Sequence, residues 1–153
     1  MLALRPMTDA EYLDYDRVMW DDYAQERARN MKAPIEEQRL AAAEQRASLL
    51  PDGQHTPAHY FWMVVDESGA RVGQLWVHAD ESKKLAFIYS IDVDAAQRGK
   101  GYGKQTLELL DARMRSMGIA RIALSVFGDN AIAMHLYQTM GYRTIATHME
   151  KEL

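Results

Sequence analysis

Between Phe87 and Met117 a strand, a glycine turn and a helix follow one another without a break. Phe87, Tyr89, Ile91 and Val93 alternate with Ser90, Asp92 and Asp94, the two-residue period of a strand. QRGKGYG comes next. Leu107, Leu110, Met114 and Met117 then recur at helical spacing, and Gly118 closes the helix. Ile122–Phe127 is apolar and strand-like. Strands joined through a helix run parallel, since an antiparallel return needs only a hairpin. This unit therefore commits the chain to a mixed α/β architecture.

The flanking elements fit around it. Residues 2–6 form a short strand. Thr8 with Glu11 makes a capping-box pattern, so a helix starts near Asp9. Pro34 suits a first helical position, and the alanine-rich stretch to Leu50 ends at Pro51-Asp52-Gly53. Tyr60–Val65, Arg71–Ala79 and the strand from Phe87 form an antiparallel meander. Asn130–Met140 is a helix closed by Gly141, and Tyr142–Leu153 is expected as a final strand. The fold class is α/β (α+β): a mixed, mostly antiparallel central sheet with helices on both faces. The 153 residues are expected to form one domain spanning 1–153.

Composition narrows the function. There is no cysteine, which excludes a disulfide scaffold, a thiolate metal site and a cysteine nucleophile. The net charge of −4 argues against a nucleic-acid partner. The longest apolar run, Tyr60–Val65, falls far short of the ~20 residues that cross a bilayer. With no targeting signal at its start, the chain is expected in the cytoplasm, with no membrane partner. The five histidines show no metal-ligand spacing, so no metal is expected.

The glycine turn carries the clearest chemistry. Gly99, Gly101 and Gly103 let a ligand approach the backbone, and the helix that follows presents unpartnered N–H groups. Arg98, Lys100 and Lys104 add positive charge, which suits a phosphate or pyrophosphate. The spacing fits neither a P-loop nor the dinucleotide fingerprint. The competing view is a tight turn without a ligand.

The stretch from Phe87 to Met117 resembles the acetyl-CoA-binding core of the GNAT N-acetyltransferase superfamily. Its signature, Arg/Gln-x-x-Gly-x-Gly/Ala, is met by Arg98, Gly101 and Gly103. NAIAMHLYQTMGY at 130–142 resembles the family's later motif. The resemblance covers residues 60–149. It implies a sheet with splayed central strands and acetyl-CoA as co-substrate. The pyrophosphate would rest on Arg98, Gly99, Lys100, Gly101, Tyr102, Gly103 and Lys104. The pantetheine arm would pair with Ile91, Asp92 and Val93 like an added strand, and an N–H near Val93 would polarise the thioester carbonyl. Asn130 would contact the cofactor arm; its competing role is a helix N-cap. Tyr137 would bind the cofactor and protonate the leaving thiolate; its competing role is a packed tyrosine. A homodimer is common in the family, but no residue here demonstrates one.

The expected function is transfer of an acetyl group from acetyl-CoA to a primary amine of a small molecule or peptide, by direct attack in a ternary complex. A non-catalytic acyl-CoA sensor, or a transferase using another acyl-CoA, is the alternative. The general base is not legible. Many family members carry a Glu on the splayed strand, where Phe87 stands here. Asp92, or Glu81, His78 or Tyr89 through a water, are the candidates. Trp20, Trp62 and Trp76 are candidates for an acceptor pocket, with packing the better fit. Asp21, Asp22 and Glu26 would attract a cationic acceptor, against the simpler reading of a solvated helix face.

Overall fold

The structure is a computed structural model describing residues 1–153. Its elements are β1 (Ala3–Pro6), α1 (Asp9–Met31), α2 (Ile35–Leu49), β2 (His59–Val65), β3 (Arg71–Asp80), β4 (Leu85–Val93), α3 (Tyr102–Ser116), β5 (Arg121–Leu124) and α4 (Ala131–Thr139). The five strands lie in sequence order. Every pair is antiparallel except β4 with β5, which is parallel, as the intervening helix requires. The mixed, mostly antiparallel sheet with helices on both faces is thus observed. No helix is long and apolar enough to cross a membrane.

Each sheet face has its own core. On one side Phe61, Met63, Val65 and Trp76 pack with Tyr12, Tyr15, Trp20 and Ala24 of α1 and Ala42 of α2. On the other, Trp62, Leu75, Val77, Ala86 and Ile88 pack with Leu107, Leu110 and Met114 of α3 and Tyr137 of α4. Strand alternation deals successive side chains to the two faces. Trp76 centres the first core. It stacks on Phe61 at 5.2 Å and on Tyr89 at 4.5 Å, and meets Trp20 edge-on at 5.7 Å. Its indole N–H donates to His59 Nδ1 at 3.0 Å. The three tryptophans are therefore core residues, all at or below 9% exposure.

The N-terminal signals act as expected. Thr8 accepts from the Glu11 N–H, and the Glu11 carboxylate accepts from the Thr8 N–H. The Arg5 guanidinium also grips Glu11 with two 2.9 Å bonds, and the pair of partners pulls that carboxyl down to about 2.

Two features open the sheet. Trp76 pairs with Ser90 and Val77 with Ile88, so Tyr89 is an extra residue in β4. Such a bulge bends its strand and increases the local twist. Beyond it, β4 diverges from β5, which pairs only with Leu85–Ile88. Residues 89–93 are held by β3 on one edge and have no β5 partner on the other. Gly73 holds β3 unusually close there: a Cβ on it would meet the Asp92 carbonyl oxygen at 2.3 Å. Just past this point Arg71 clasps Asp94 with bonds of 2.8–3.1 Å.

Three expectations need correction. Tyr142–Leu153 is not a final strand: residues 143–153 join no ladder, and Ile145 and Met149 are exposed. Two large apolar side chains gain about 1.5–3 kcal/mol each on full burial. Ordering each of eleven residues costs about 1–2 kcal/mol. Alternation alone therefore does not fix this segment to the four-residue β5. That strand ends at Leu124, short of the expected Phe127. Pro34 is the N-cap of α2 rather than its first helical residue.

Candidate functional site

The glycine turn divides its labour. Gly99 and Gly101 have φ of 79° and 78°, the left-handed region that glycine enters without a Cβ penalty. Gly101 is the N-cap residue of α3 and offers no capping side chain, so the first N–H groups of the helix are left open. Gly103 has ordinary backbone angles; it is small because α4 lies against it. A Cβ there would stand 3.1 Å from Leu136. This contact brings the turn beside the helix that carries Tyr137.

The three cations are not equivalent. Arg98 folds back onto the end of β4, donating from Nε to the Val93 carbonyl at 3.0 Å and reaching Asp92 at 3.3 Å. Lys100 donates to Gln97 at 3.0 Å, and Lys104 lies 4.0 Å from Glu108. The lysines project around the helix start, whereas Arg98 braces Asp92 and Val93. Those two residues and Ile91 lie on the stretch of β4 that β5 leaves unpaired.

Asn130 is the N-cap of α4, its side chain accepting from the Ala133 N–H at 3.2 Å. Asn130→Ala is expected to cost about 1 kcal/mol of stability through this cap; denaturant unfolding measures it. Two helical turns later, Tyr137 is 9% exposed and packs 5.6 Å from the Tyr142 ring. Burial first, and the Glu26 carboxylate second, push its phenol above the ordinary tyrosine value.

The far end of α1 closes over this region. Arg29 and Asn30 both bind the Asp129 carboxylate, Asn30 at 3.0 Å. The Asp129 N–H returns to the Asn30 side chain at 3.3 Å, and Tyr23 packs on Phe127 with ring centroids 6.0 Å apart. The face of α1 bearing Tyr23, Glu26 and Asn30 is thus turned to the loop before α4. Glu26 is half-buried, and desolvation raises its carboxyl above the usual range. Asp92 is also raised, chiefly by desolvation, with Arg98 opposing. Its side chain is 51% exposed.

The remaining base candidates are differently placed. Tyr89 is stacked on Trp76, and Phe87 lies 4.8 Å from Tyr89. His78 faces His59 with ring centroids 4.7 Å apart. Burial, then the His78 charge, hold His59 down at about 4. Glu81 is on the exposed β3–β4 turn. Of the α1 acids, Asp21 is tied to Arg39 and Gln25 at the surface. Glu26 was grouped with it by sequence; the signal that separates them is that Glu26 is three residues before Arg29 and four before Asn30, the pair that holds Asp129.

Comparison with known proteins agrees with this architecture. The model of the "Acetyltransferase (GNAT) family" matches residues 13–142. The chain is 34% identical over 153 residues to the uncharacterized N-acetyltransferase YdgE of Bacillus subtilis, covering 99% of this chain and 98% of that protein. It is 35% identical over 154 residues to the uncharacterized N-acetyltransferase YycN of Bacillus subtilis, covering 99% of each. The crystal structure of YycN superposes with a TM-score of 0.95 over 100% of this chain and 99% of that one. A more distant match in fold alone is AAC(6')-Iy, solved with a CoA-linked bisubstrate analog, at 16% identity and a TM-score of 0.59 over 100% of this chain and 98% of that one.

Proposed function

Because the chain belongs to the acetyltransferase (GNAT) family and is an N-acetyltransferase by that membership, we propose that it moves the acetyl group of acetyl-CoA to a primary amine of a small molecule or peptide. The unpaired edge of β4 beyond Ile88, beside the open helix start of α3, carries this reading. Residues 1–153 act as one domain in the cytoplasm, and a homodimer is compatible with the reaction without being required by it.

Acetyl-CoA fits these residues in a definite way. Its pyrophosphate takes the open N–H groups at Arg98–Lys104, with Lys100 and Lys104 alongside. Its pantetheine amides extend the sheet along Ile91, Asp92 and Val93, using main-chain groups that β5 leaves free. The thioester carbonyl is then polarised by a main-chain N–H near Val93. The amine attacks that carbonyl directly; a C–N bond forms and the C–S bond breaks. The departing thiolate takes a proton from Tyr137, whose phenol stays protonated at neutral pH. With no cysteine in the chain, an acetyl-cysteine intermediate has no residue to form on.

Calorimetry with acetyl-CoA and a thiol-release assay over a panel of primary amines test the reading. Binding together with amine-dependent thiol release is expected. Binding without release for any amine would make the chain an acyl-CoA sensor, and tighter binding of a longer acyl-CoA would change the donor.

A further inference from the structure

The five-strand sheet ends differently at its two edges. β1 is blunt: it ends on Pro6, which has no N–H to offer, and carries Arg5 clasped to Glu11. β5 is not blunt. It pairs with β4 alone, so its other edge carries unpaired main-chain groups. From Ile122 to Phe127 the chain reads Ile-Ala-Leu-Ser-Val-Phe, without a charge or a proline. Ile122, Leu124 and Val126 are only partly buried, at the margin of the core under α3 and α4. An apolar strand edge of this kind is a template for another strand, and folded proteins keep such edges covered.

The same chain carries a segment suited to that edge. Residues 143–153 join no ladder, yet they keep a two-residue period. Ile145, Met149 and Leu153 fall on one side, with Thr144, Ala146, His148 and Glu150 on the other. All three apolar side chains are exposed, Ile145 at 77% and Met149 at 84%. Three in one short segment exceed the scattered singles of an ordinary surface. The root of the segment is fixed. Gly141 turns with φ of 93°, the Tyr142 N–H donates to the Tyr137 carbonyl at 3.0 Å, and the two tyrosine rings pack together. From that anchored point the segment leaves its own β5 uncovered. One copy thus holds an open apolar edge and an unpaired apolar strand that do not meet.

We propose that this segment is exchanged between two copies of the chain. Residues 143–149 of one copy lie as an added strand on the free edge of β5 in the other, and the second copy returns the same segment. The added strand supplies the main-chain partners that the edge of β5 lacks. Ile145 and Met149 then continue the core where Ile122, Leu124 and Val126 leave it open. The occupant is a second copy because edge and segment occur once each in the same sequence. Exchange about a two-fold axis satisfies both edges and both segments together and leaves nothing open for a third copy. Neither the acyl donor nor the acceptor enters this inference.

Sedimentation velocity of the full chain is expected to give twice the 17.5 kDa chain mass. Ile145→Asp combined with Met149→Asp changes two side chains that are exposed in a single copy. It is expected to raise the dimer dissociation constant at least about 10²-fold, since each segment then withdraws two apolar side chains from the contact. Its far-UV circular dichroism spectrum should match that of the wild type. A cysteine-free chain also allows a crosslink to be placed at chosen positions. Thr147 and Ser125 are both exposed. Bis-maleimide treatment of the chain carrying Thr147→Cys and Ser125→Cys is expected to join position 147 of one copy to position 125 of the other. That covalent dimer should vanish when the doubly substituted chain is refolded in a large excess of wild type. A wild-type monomer, a dimer that the two aspartates leave equally tight, or a 147-to-125 link within one chain that persists in the excess overturns the proposal. If the aspartate variant loses its circular dichroism spectrum, the crosslink decides alone.

Discussion

Tyr137→Phe is expected to lower kcat about 10²–10⁴-fold, the span that one general acid contributes, with acetyl-CoA binding retained. The hydroxyl is the only atom removed, and it makes no hydrogen bond within the chain whose loss would loosen α4. The ring stays packed against Tyr142 and in the core under β4. A change confined to kcat therefore reports proton delivery rather than folding. The pH profile separates the two further. Burial and the Glu26 charge hold the phenol above its usual ~10. Its protonated form is full at neutral pH and is lost only as pH rises through that elevated value. Tyr137→Phe is expected to remove this alkaline limb. Unchanged turnover, with the same alkaline limb, would reduce Tyr137 to a packing residue.

Of the glycines, Gly73 leaves the least room for an added methyl, so Gly73→Ala is expected to be strongly destabilising. The added Cβ meets the Asp92 carbonyl oxygen at 2.3 Å and the Val93 Cα at 3.3 Å. Both are backbone atoms of a paired strand, so relief requires β3 and β4 to part, not a rotamer to turn. Overpacking of this kind costs about 3 kcal/mol. The end of β4 is also pinned by the Asp94 N–H on the Val72 carbonyl at 2.9 Å and by the Arg71 clasp, so the strain falls on residues 92 and 93. Weaker acetyl-CoA binding should accompany the lower stability. Gly128→Ala is the control, since its Cβ meets nothing within 4 Å; surface changes of that kind stay within about 0.5 kcal/mol. Denaturant midpoints for the two variants decide the comparison. Equal midpoints would mean that β3 and β4 are not so tightly apposed.

Much of the fold was legible because its signals are local. A two-residue period, a glycine turn and a helical repeat identify β4, α3 and β5 without reference to the rest of the chain. Thr8, Glu11 and Asn130 declare helix starts through bonds that span three residues. Around the candidate site, the left-handed turn at Gly99 and Gly101 and the helix start at Asn130 were legible because each is written in neighbouring residues. What escaped depends on distant partners. Arg98 counts as an outward cation in sequence, yet the Val93 carbonyl and Asp92 turn it back. Glu26 and Asp21 look alike on one helix; Asp129, about a hundred residues away, fastens the end of the helix nearer Glu26, while Asp21 is held by Arg39 at the surface. Alternation at 142–153 gave a strand pattern, but a strand needs an edge to pair with as well as a pattern.

The bonds from Arg29 and Asn30 to Asp129 have a further consequence for the order of assembly. Hairpins β2–β3 and β3–β4 close short loops, and α1 meets α2 across three intervening residues. The clasp on Asp129 closes a loop of 99–100 residues. Closing a long loop costs more chain entropy than closing a hairpin, and contacts of large sequence separation slow folding. The join between α1 and the loop before α4 is thus made by one of the most non-local contacts in the chain. During synthesis, Asn30 has no counterpart until residue 129 has left the ribosome. An incomplete chain can build the meander and the aromatic stack on Trp76, but its first helix is not yet fastened to the loop before α4.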